Sequence, residues 1–492
     1  MGFGSVSRTK ERGESPNEAE VVLESVEKRV SYGLVALVIR QFIAYGTLFL
    51  GNILLARWVS PDIYGLFAAT LAFQSMLVVL ADVGLGPALI QRDQNPTRDE
   101  IAGLFTVQVV LFGFVAGGIW VFAPWIAVVA DLELAGELIV RSIAVVFFIT
   151  AFRSIPAILL ERDLRFDAIA LVETVSTIIY QVVLLVLVWR GTGLISIVWA
   201  LAARYTCDVL LIWRLHPWRP RLSWNLRPII SYLSFGLNMQ GVRIMVYIKD
   251  HLPLLLIVPL LGATSAGHWG WSLTYIGIPV YFNQLITRIM FPAYSRVQSD
   301  RDAVGALATT ALWLNMSIGL PIIFILIWFA PHLVPLIYGN VWLAALPIAI
   351  LLAPNMLAGF MTGALFPVLY ATNQSRKALK LFVLWVILTV SGSLIGVMYG
   401  DLQGMALAYS CTTLIISIVL LFSVRPVAAV DLKKALVGPF VSLFGMIFGV
   451  AALVSVNTSW VFVLVFVICS YIVTFCVIDY RRIRTLAVAF LA

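Results

Sequence analysis

Charge is scarce in this sequence. Of 492 residues only 12% are Asp, Glu, Lys or Arg against 61% hydrophobic, and the mean hydropathy is +0.99. A chain this poor in charge falls outside the composition of soluble domains. Cysteine and histidine are also sparse, with four of each. Cys207, Cys411, Cys469 and Cys476 fall inside apolar runs without metal-ligand spacing and read as small buried hydrophobes. The sequence has no HExxH, no Gly-rich phosphate loop and no Ser/His/Asp arrangement, so neither a cofactor nor a metal is expected. The first thirty residues lack the apolar core of a signal peptide and read as a charged cytoplasmic arm.

What the sequence does have is long apolar runs. A helix needs about 20 apolar residues to cross the hydrocarbon. Runs of that order cover 34–56, 63–90, 101–122, 138–160, 168–189, 194–213, 229–260, 266–288, 303–329, 343–370, 376–399, 403–424, 435–455 and 459–479. The expected fold is therefore an all-α polytopic membrane protein with about fourteen spans. Lys and Arg test the count independently. Alternate loops carry Arg92 and Arg98, Arg162 and Arg165, Arg214 to Arg227, Arg288 to Arg301, Arg376 to Lys380, Arg425 to Lys434, and Arg481 to Arg484, while the intervening loops hold only Arg57 and Arg190. By the positive-inside rule both termini are cytoplasmic. The net charge of +8 is spread over these topogenic loops, so no nucleic-acid partner is expected.

LLARWVSPDIYGLFAATLAFQ after the first span and LLIVPLLGATSAGHWGWSLTY after the seventh align on Gly65 and Gly267, a shift of 202 residues. A fainter echo links Gly191 with Gly400. Spans one to six thus repeat as seven to twelve, with two more appended. Six is even, so the repeat is parallel, about an axis along the membrane normal. The expected organisation is an arm (1–30), two six-helix lobes (31–227 and 228–425) facing a central cavity, and a C-terminal pair with a tail (426–492).

A charge at mid-membrane costs at least ~2.5 kcal/mol on insertion scales and marks a cavity, an ion pair or an interface. The spans contain Arg40, Arg141, Arg153, Glu173, Arg204, Asp208, Arg243, Lys249 and Asp250, with Asp82 near the inner end of the second. Arg40 is also within snorkelling reach of the inner surface. Arg153 and Glu173 lie at similar depth and read as an ion pair. Arg204 and Asp208, four apart, are placed to neutralise each other. Gln240, Arg243, Tyr247 and Asp250 follow one helix face as a polar stripe. Arg40, Arg153, Arg204, Arg243 and Lys249 against Glu173, Asp208 and Asp250 leave two positive charges over, which predicts a cavity for an anion. Arginine matches the planar, bidentate demand of phosphate oxygens. Gln41, Gln240, Tyr247, Tyr275, Asn283 and Gln284 are candidate polar or glycan contacts, and Asp82, Glu173, Asp208 and Asp250 are candidates to titrate. Prolines 253, 259, 279, 321, 354 and 367 mark candidate kinks.

LLARWVSPDIYGLFAATLAFQ with ADVGLGPALIQR, and later FPAYSRVQSDRDA with GLPIIFILIWFAPHLVPLIYGNVWLAALPIAILL, resemble the Wzx-type polysaccharide flippases. These form the polysaccharide branch of the multidrug/oligosaccharidyl-lipid/polysaccharide exporter superfamily, and the resemblance covers roughly residues 30 to 425. It implies a bacterial inner-membrane transporter that moves a polyprenyl-diphosphate-linked oligosaccharide from the cytoplasmic to the periplasmic leaflet. It also implies a polysaccharide polymerase and chain-length machinery as partners. Family cavities are cationic through the first and seventh helices, which here carry Arg40, Arg243 and Lys249, and Arg204 joins them as a candidate diphosphate contact. Three alternatives stay open: a lipid II flippase, a cation-coupled multidrug exporter, and a glycan polymerase or ligase. The last lacks a sizeable outward loop for catalysis.

Overall fold

In the computed structural model, residues 46–82, 96–130, 136–163, 165–216, 220–224, 230–454 and 459–480 are described, with Leu89, Leu132, Trp218, Arg482 and Arg484 besides; side chains are described from Gln240 onward in the helix that opens at Ile230 and up to Leu453 in the one that ends at Val454. Arg40 and Gln41 lie outside the described residues. The helices are α1 (46–58), α2 (Pro61–Ala81), α3 (Arg98–Val129), α4 (Gly136–Ile149), α5 (Ala151–Arg162), α6 (Phe166–Trp189), α7 (Ile195–Leu215) and α8 (Ile230–Ile276). They continue as α9 (Val280–Arg296), α10 (Arg301–Trp328), α11 (Ala330–Ile337), α12 (Leu346–Ala371), α13 (Ser375–Val424), α14 (Leu432–Val454) and α15 (Trp460–Ile478). No strand occurs among the described residues.

Local chemistry sets the ends. Pro61 opens α2 where its missing N–H costs nothing. Thr97 and Glu100 close a capping box at α3, with the Glu100 amide donating to Thr97 Oγ1 at 3.2 Å and the Thr97 amide to Glu100 Oε2 at 2.8 Å. Asp300 caps α10 by accepting from the amides of Asp302 and Ala303.

Eleven stretches among the described residues are long and apolar enough to cross a membrane. Two of them, in α8 and α13, are each a pair of helices joined at a backbone break. That makes thirteen of the fourteen spans read from the hydropathy pattern, and α1 (46–58) falls within the first of those runs, the rest of which lies outside the described residues. One predicted proline marks a break: the eighth span is interrupted between Ile276 and Val280, with Pro279 as the N-cap of α9. The other breaks lie at Gly262 (φ 83°) and at Gly400–Asp401, whereas the helices run on through Pro253, Pro259, Pro321, Pro354 and Pro367. A proline in a helix loses one donor, but a left-handed φ such as that of Gly262 reverses the chain.

The repeat seen in the sequence is written into the packing. A Cβ on Gly65 would run into the carbonyl oxygen of Ala263, and one on Gly267 into that of Pro61. Shifting 65 and 263 by the repeat length yields 267 and 61, so the contact is reciprocal, as a two-fold axis between the glycines requires. Neither position has room for a side chain: glycine lets the two backbones touch, as small residues do between membrane helices. Gly267→Val is accordingly expected to destabilise the protein by at least ~1–3 kcal/mol, because backbone has to move to admit it. The unfolding midpoint in detergent measures this, and an unshifted midpoint would show that the contact tolerates separation.

Beside the glycines an aromatic cluster ties the halves together. Trp271 stacks on Tyr275 (4.9 Å) and Trp342 (5.3 Å), and Tyr64 meets Trp342 edge-on at 5.0 Å. Trp342 Nε1 donates to the carbonyl of Ala56 at 2.8 Å. Gly339, at φ 104°, starts the turn that delivers this fully buried indole, which explains the Tyr-Gly-Asn-Val-Trp pattern physically.

Candidate functional site

A cavity of about 540 Å³ lies between α2, α3, α5, α6, α7 and α8, within the ~300–1,000 Å³ common for ligand sites. Its walls hold Asp82, Arg153, Glu173, Arg204, Asp208 and Arg243, with Tyr205 and Tyr247 and, from α1, Leu48. These side chains sit at comparable depth. Gln108, which also lines the cavity, is about ten residues, or ~15 Å at 1.5 Å per residue, from the Arg98 end of α3, and Arg204 is about as far from the Leu215 end of α7.

Most of the charges are paired. Arg153 Nη2 meets Glu173 Oε1 at 3.1 Å, and its Nε lies 3.7 Å from Asp208 Oδ2, so one guanidinium holds carboxylates from α6 and α7. Arg243 Nη1 meets Asp82 Oδ2 at 3.1 Å, joining α8 to the end of α2. One turn away Gln240 donates its amide to the carbonyl of Val79, a second link between the same helices.

Arg204 differs. No carboxylate among the described residues forms an ion pair with it. Its guanidinium lies 5.7 Å from the Tyr180 ring centroid and 5.9 Å from that of Tyr205, and its Nε is buried without a hydrogen-bond partner among the described residues. The expectation that Arg204 and Asp208 neutralise each other is therefore corrected. Helical spacing makes them neighbours, but Asp208 is within reach of Arg153 across the helix interface, and Arg204 lies over the rings of Tyr180 and Tyr205. The expected excess of two positive charges counted Arg40, which lies outside the described residues, and Lys249. Among described lining residues three guanidiniums face three carboxylates. Lys249 is not among them: it is buried, paired with its neighbour Asp250 and seated 4.2 Å over the Trp385 ring of α13.

The other candidates are scattered. Tyr247 lines the cavity, 5.3 Å from the ring of His251. Tyr275 belongs to the aromatic cluster, with its hydroxyl donating to the carbonyl of Leu326 at 2.6 Å. Asn283 accepts from Thr287 at 3.4 Å, packed against Gly363, and Gln284 is exposed on α9. The structure adds cavity residues that sequence reading passed over: Gln108, Thr150, Thr174 and Ser176. Only the lone amide of Gln108 in an apolar run was a visible signal, because Ser and Thr in membrane helices ordinarily bond their own preceding turn.

The family model described as "Polysaccharide biosynthesis protein" matches residues 54–347. The chain is 24% identical over 282 residues to the teichuronic acid biosynthesis protein TuaB of Bacillus subtilis (strain 168), covering 56% of this chain and little more than half, 57%, of that protein. It is 23% identical over 388 residues to the lipopolysaccharide biosynthesis protein WzxC of Escherichia coli (strain K12), covering 76% of each. It is also 23% identical over 368 residues to the succinoglycan biosynthesis transport protein ExoT of Rhizobium meliloti (strain 1021), covering 73% of this chain and 72% of that one. Among solved structures, lipid II flippase MurJ in an inward closed conformation superposes with a TM-score of 0.75 at 12% identity, over 91% of this chain and 100% of that one. An inward-facing multidrug resistance MATE family transporter of the MOP superfamily gives 0.59 at 14% identity, over 77% and 93%. At such identities these two structures speak for the fold alone. With more than half of its length inside the family model, the chain belongs to the polysaccharide biosynthesis protein family.

Proposed function

We propose that this protein is a flippase, a transporter and not an enzyme, that carries a polyprenyl-diphosphate-linked oligosaccharide from the cytoplasmic to the periplasmic leaflet of a bacterial inner membrane, for surface polysaccharide synthesis. The observation that carries the reading is Arg204: a guanidinium without a carboxylate partner among the described residues, at the wall of a cavity set into the membrane helices. The names of the relatives, which print polysaccharide biosynthesis and transport, support the same reading. In it the lobes are 31–227 and 228–425, both termini are cytoplasmic, and the halves rock against each other to give alternating access. Arg204 and Arg243 hold the diphosphate, joined by Arg40 on the sequence argument. A polymerase and chain-length machinery receive the exported product.

The direction is downhill without a nucleotide. With the cell interior negative, outward movement of anionic charge gains ~2.3 kcal/mol per charge per 100 mV. The balance of three arginines and three carboxylates among the described lining residues favours a second reading, a cation-coupled exporter in which Asp82, Glu173 or Asp208 titrates. The leaflet distribution of polyprenyl-diphosphate-linked glycan, read with a membrane-impermeant glycan probe on spheroplasts, separates the two. Lacking this protein, cells are expected to retain the glycolipid on the cytoplasmic side. An unchanged distribution with intact surface polysaccharide would reject the flippase and leave the second reading.

A further inference from the structure

Besides its charges, the cavity lining holds uncharged polar groups that diphosphate binding does not use. Gln108 is buried to 1% exposure at its edge, and both amide atoms, Nε2 and Oε1, lack any partner among the described residues. Two donors and an acceptor held without partners in a low-dielectric interior are a standing cost to the fold. Around the same cavity Thr150 donates its hydroxyl proton to the carbonyl of Phe147 at 2.6 Å, Thr174 to that of Ala170 at 2.7 Å, and Ser176 to that of Val172 at 2.7 Å. Each hydroxyl has then spent its only proton and keeps its oxygen lone pairs as acceptors. The wall therefore combines an amide with unused donors and a row of hydroxyls that can only accept.

A ligand complementary to such a wall has several groups that both donate and accept, close together on a compact ring. That is the chemistry of a sugar, and it suits neither an alkyl chain nor a simple ammonium ion. We propose that this wall, with Gln108 as its specificity-determining residue, binds the sugar joined to the diphosphate. The inference rests on the flippase reading: with phosphate oxygens on Arg204, the first sugar is covalently held within the same cavity. Sugar hydroxyls donate to Thr150, Thr174 and Ser176 and accept from Gln108, so a lipid diphosphate is examined for its first residue before it crosses.

The full-length protein in nanodiscs tests this with farnesyl diphosphate and its glucosyl, galactosyl and N-acetylglucosaminyl diesters as probes. The wild type is expected to bind at least one glycosylated probe more tightly than farnesyl diphosphate. Gln108→Leu is expected to lose about tenfold on that probe, the loss of one well-placed hydrogen bond to a buried polar group. The loss is confined to the sugar-bearing ligand, and Gln108→Asn recovers part of it. Equal binding of all probes by the wild type overturns this inference alone, as does a full sugar-dependent margin in Gln108→Leu. Parallel loss of bare and glycosylated probes by Gln108→Leu marks a structural role for the amide and also overturns it. Failure of the wild type to bind any probe overturns the diphosphate reading, and this inference with it.

Discussion

Arg204→Gln is expected to abolish export of lipid-linked glycan while leaving a folded, membrane-inserted protein. The separation of the two effects follows from how the cavity charges are paired. Removing Arg153 takes the charge partner from buried Asp208 and from Glu173, and removing Arg243 breaks the ion pair that joins α8 to Asp82. A buried carboxylate left uncompensated is strongly destabilising. Arg204 has no carboxylate to strand among the described residues, so its loss costs the fold mainly its packing over Tyr180 and Tyr205. The ligand loses far more. Each charge-assisted hydrogen bond to a phosphate oxygen is worth ~1.5–3 kcal/mol, and a bidentate fork supplies two, a loss of at least ~100-fold in affinity. Arg204→Lys, which keeps the charge but not the fork, is expected to fall between wild type and Gln. Arg243→Ala is expected to stop export too, but with a lowered unfolding midpoint. The impermeant-probe assay on spheroplasts, paired with thermal unfolding of the purified variants, reads both quantities. Normal export by Arg204→Gln would remove Arg204 from the site.

How much of this was legible in the sequence differs by element. The spans were, because hydrophobic length and the Lys and Arg alternation are local properties of the chain. The repeat at Gly65 and Gly267 was also legible, although nothing in the sequence says that the two glycines touch. The Arg153–Glu173 pair follows from equal depth on consecutive helices. Partners across the bundle were not legible. Asp208 is within reach of Arg153 and not of Arg204, and Asp82 is paired with Arg243 from the other half, because side-chain reach between helices depends on rotation about each axis. Lys249 shows the same limit. Its place on the seventh span suggested the cavity, yet it pairs with Asp250 against Trp385. Hydroxyls such as Thr174 were invisible for another reason: their role depends on which carbonyl already takes their proton.

A disulfide between Ala68→Cys and Gly270→Cys is expected to abolish export, and reductant to restore it. These positions differ by the same 202 residues as Gly65 and Gly267, so they are each other's mates beside the axis. A Cβ built on Gly270 lies 3.0 Å from that of Ala68. A disulfide prefers about 3.5–4.5 Å, so the bond forms after a shift of roughly half an ångström. It would fasten α2 to α8 where the halves meet through backbone and through the indole of Trp342, the end remote from the Arg243–Asp82 pair. If alternating access separates the halves at that end, the locked protein has no way to release its ligand there. The cavity lies toward the other end and is left intact, so the crosslinked protein still binds farnesyl diphosphate. The experiment is run with the four native cysteines replaced, export being measured before and after oxidation. Full export by quantitatively crosslinked protein would mean that the halves do not part at the glycine contact. The release path would then have to lie between helices within one half.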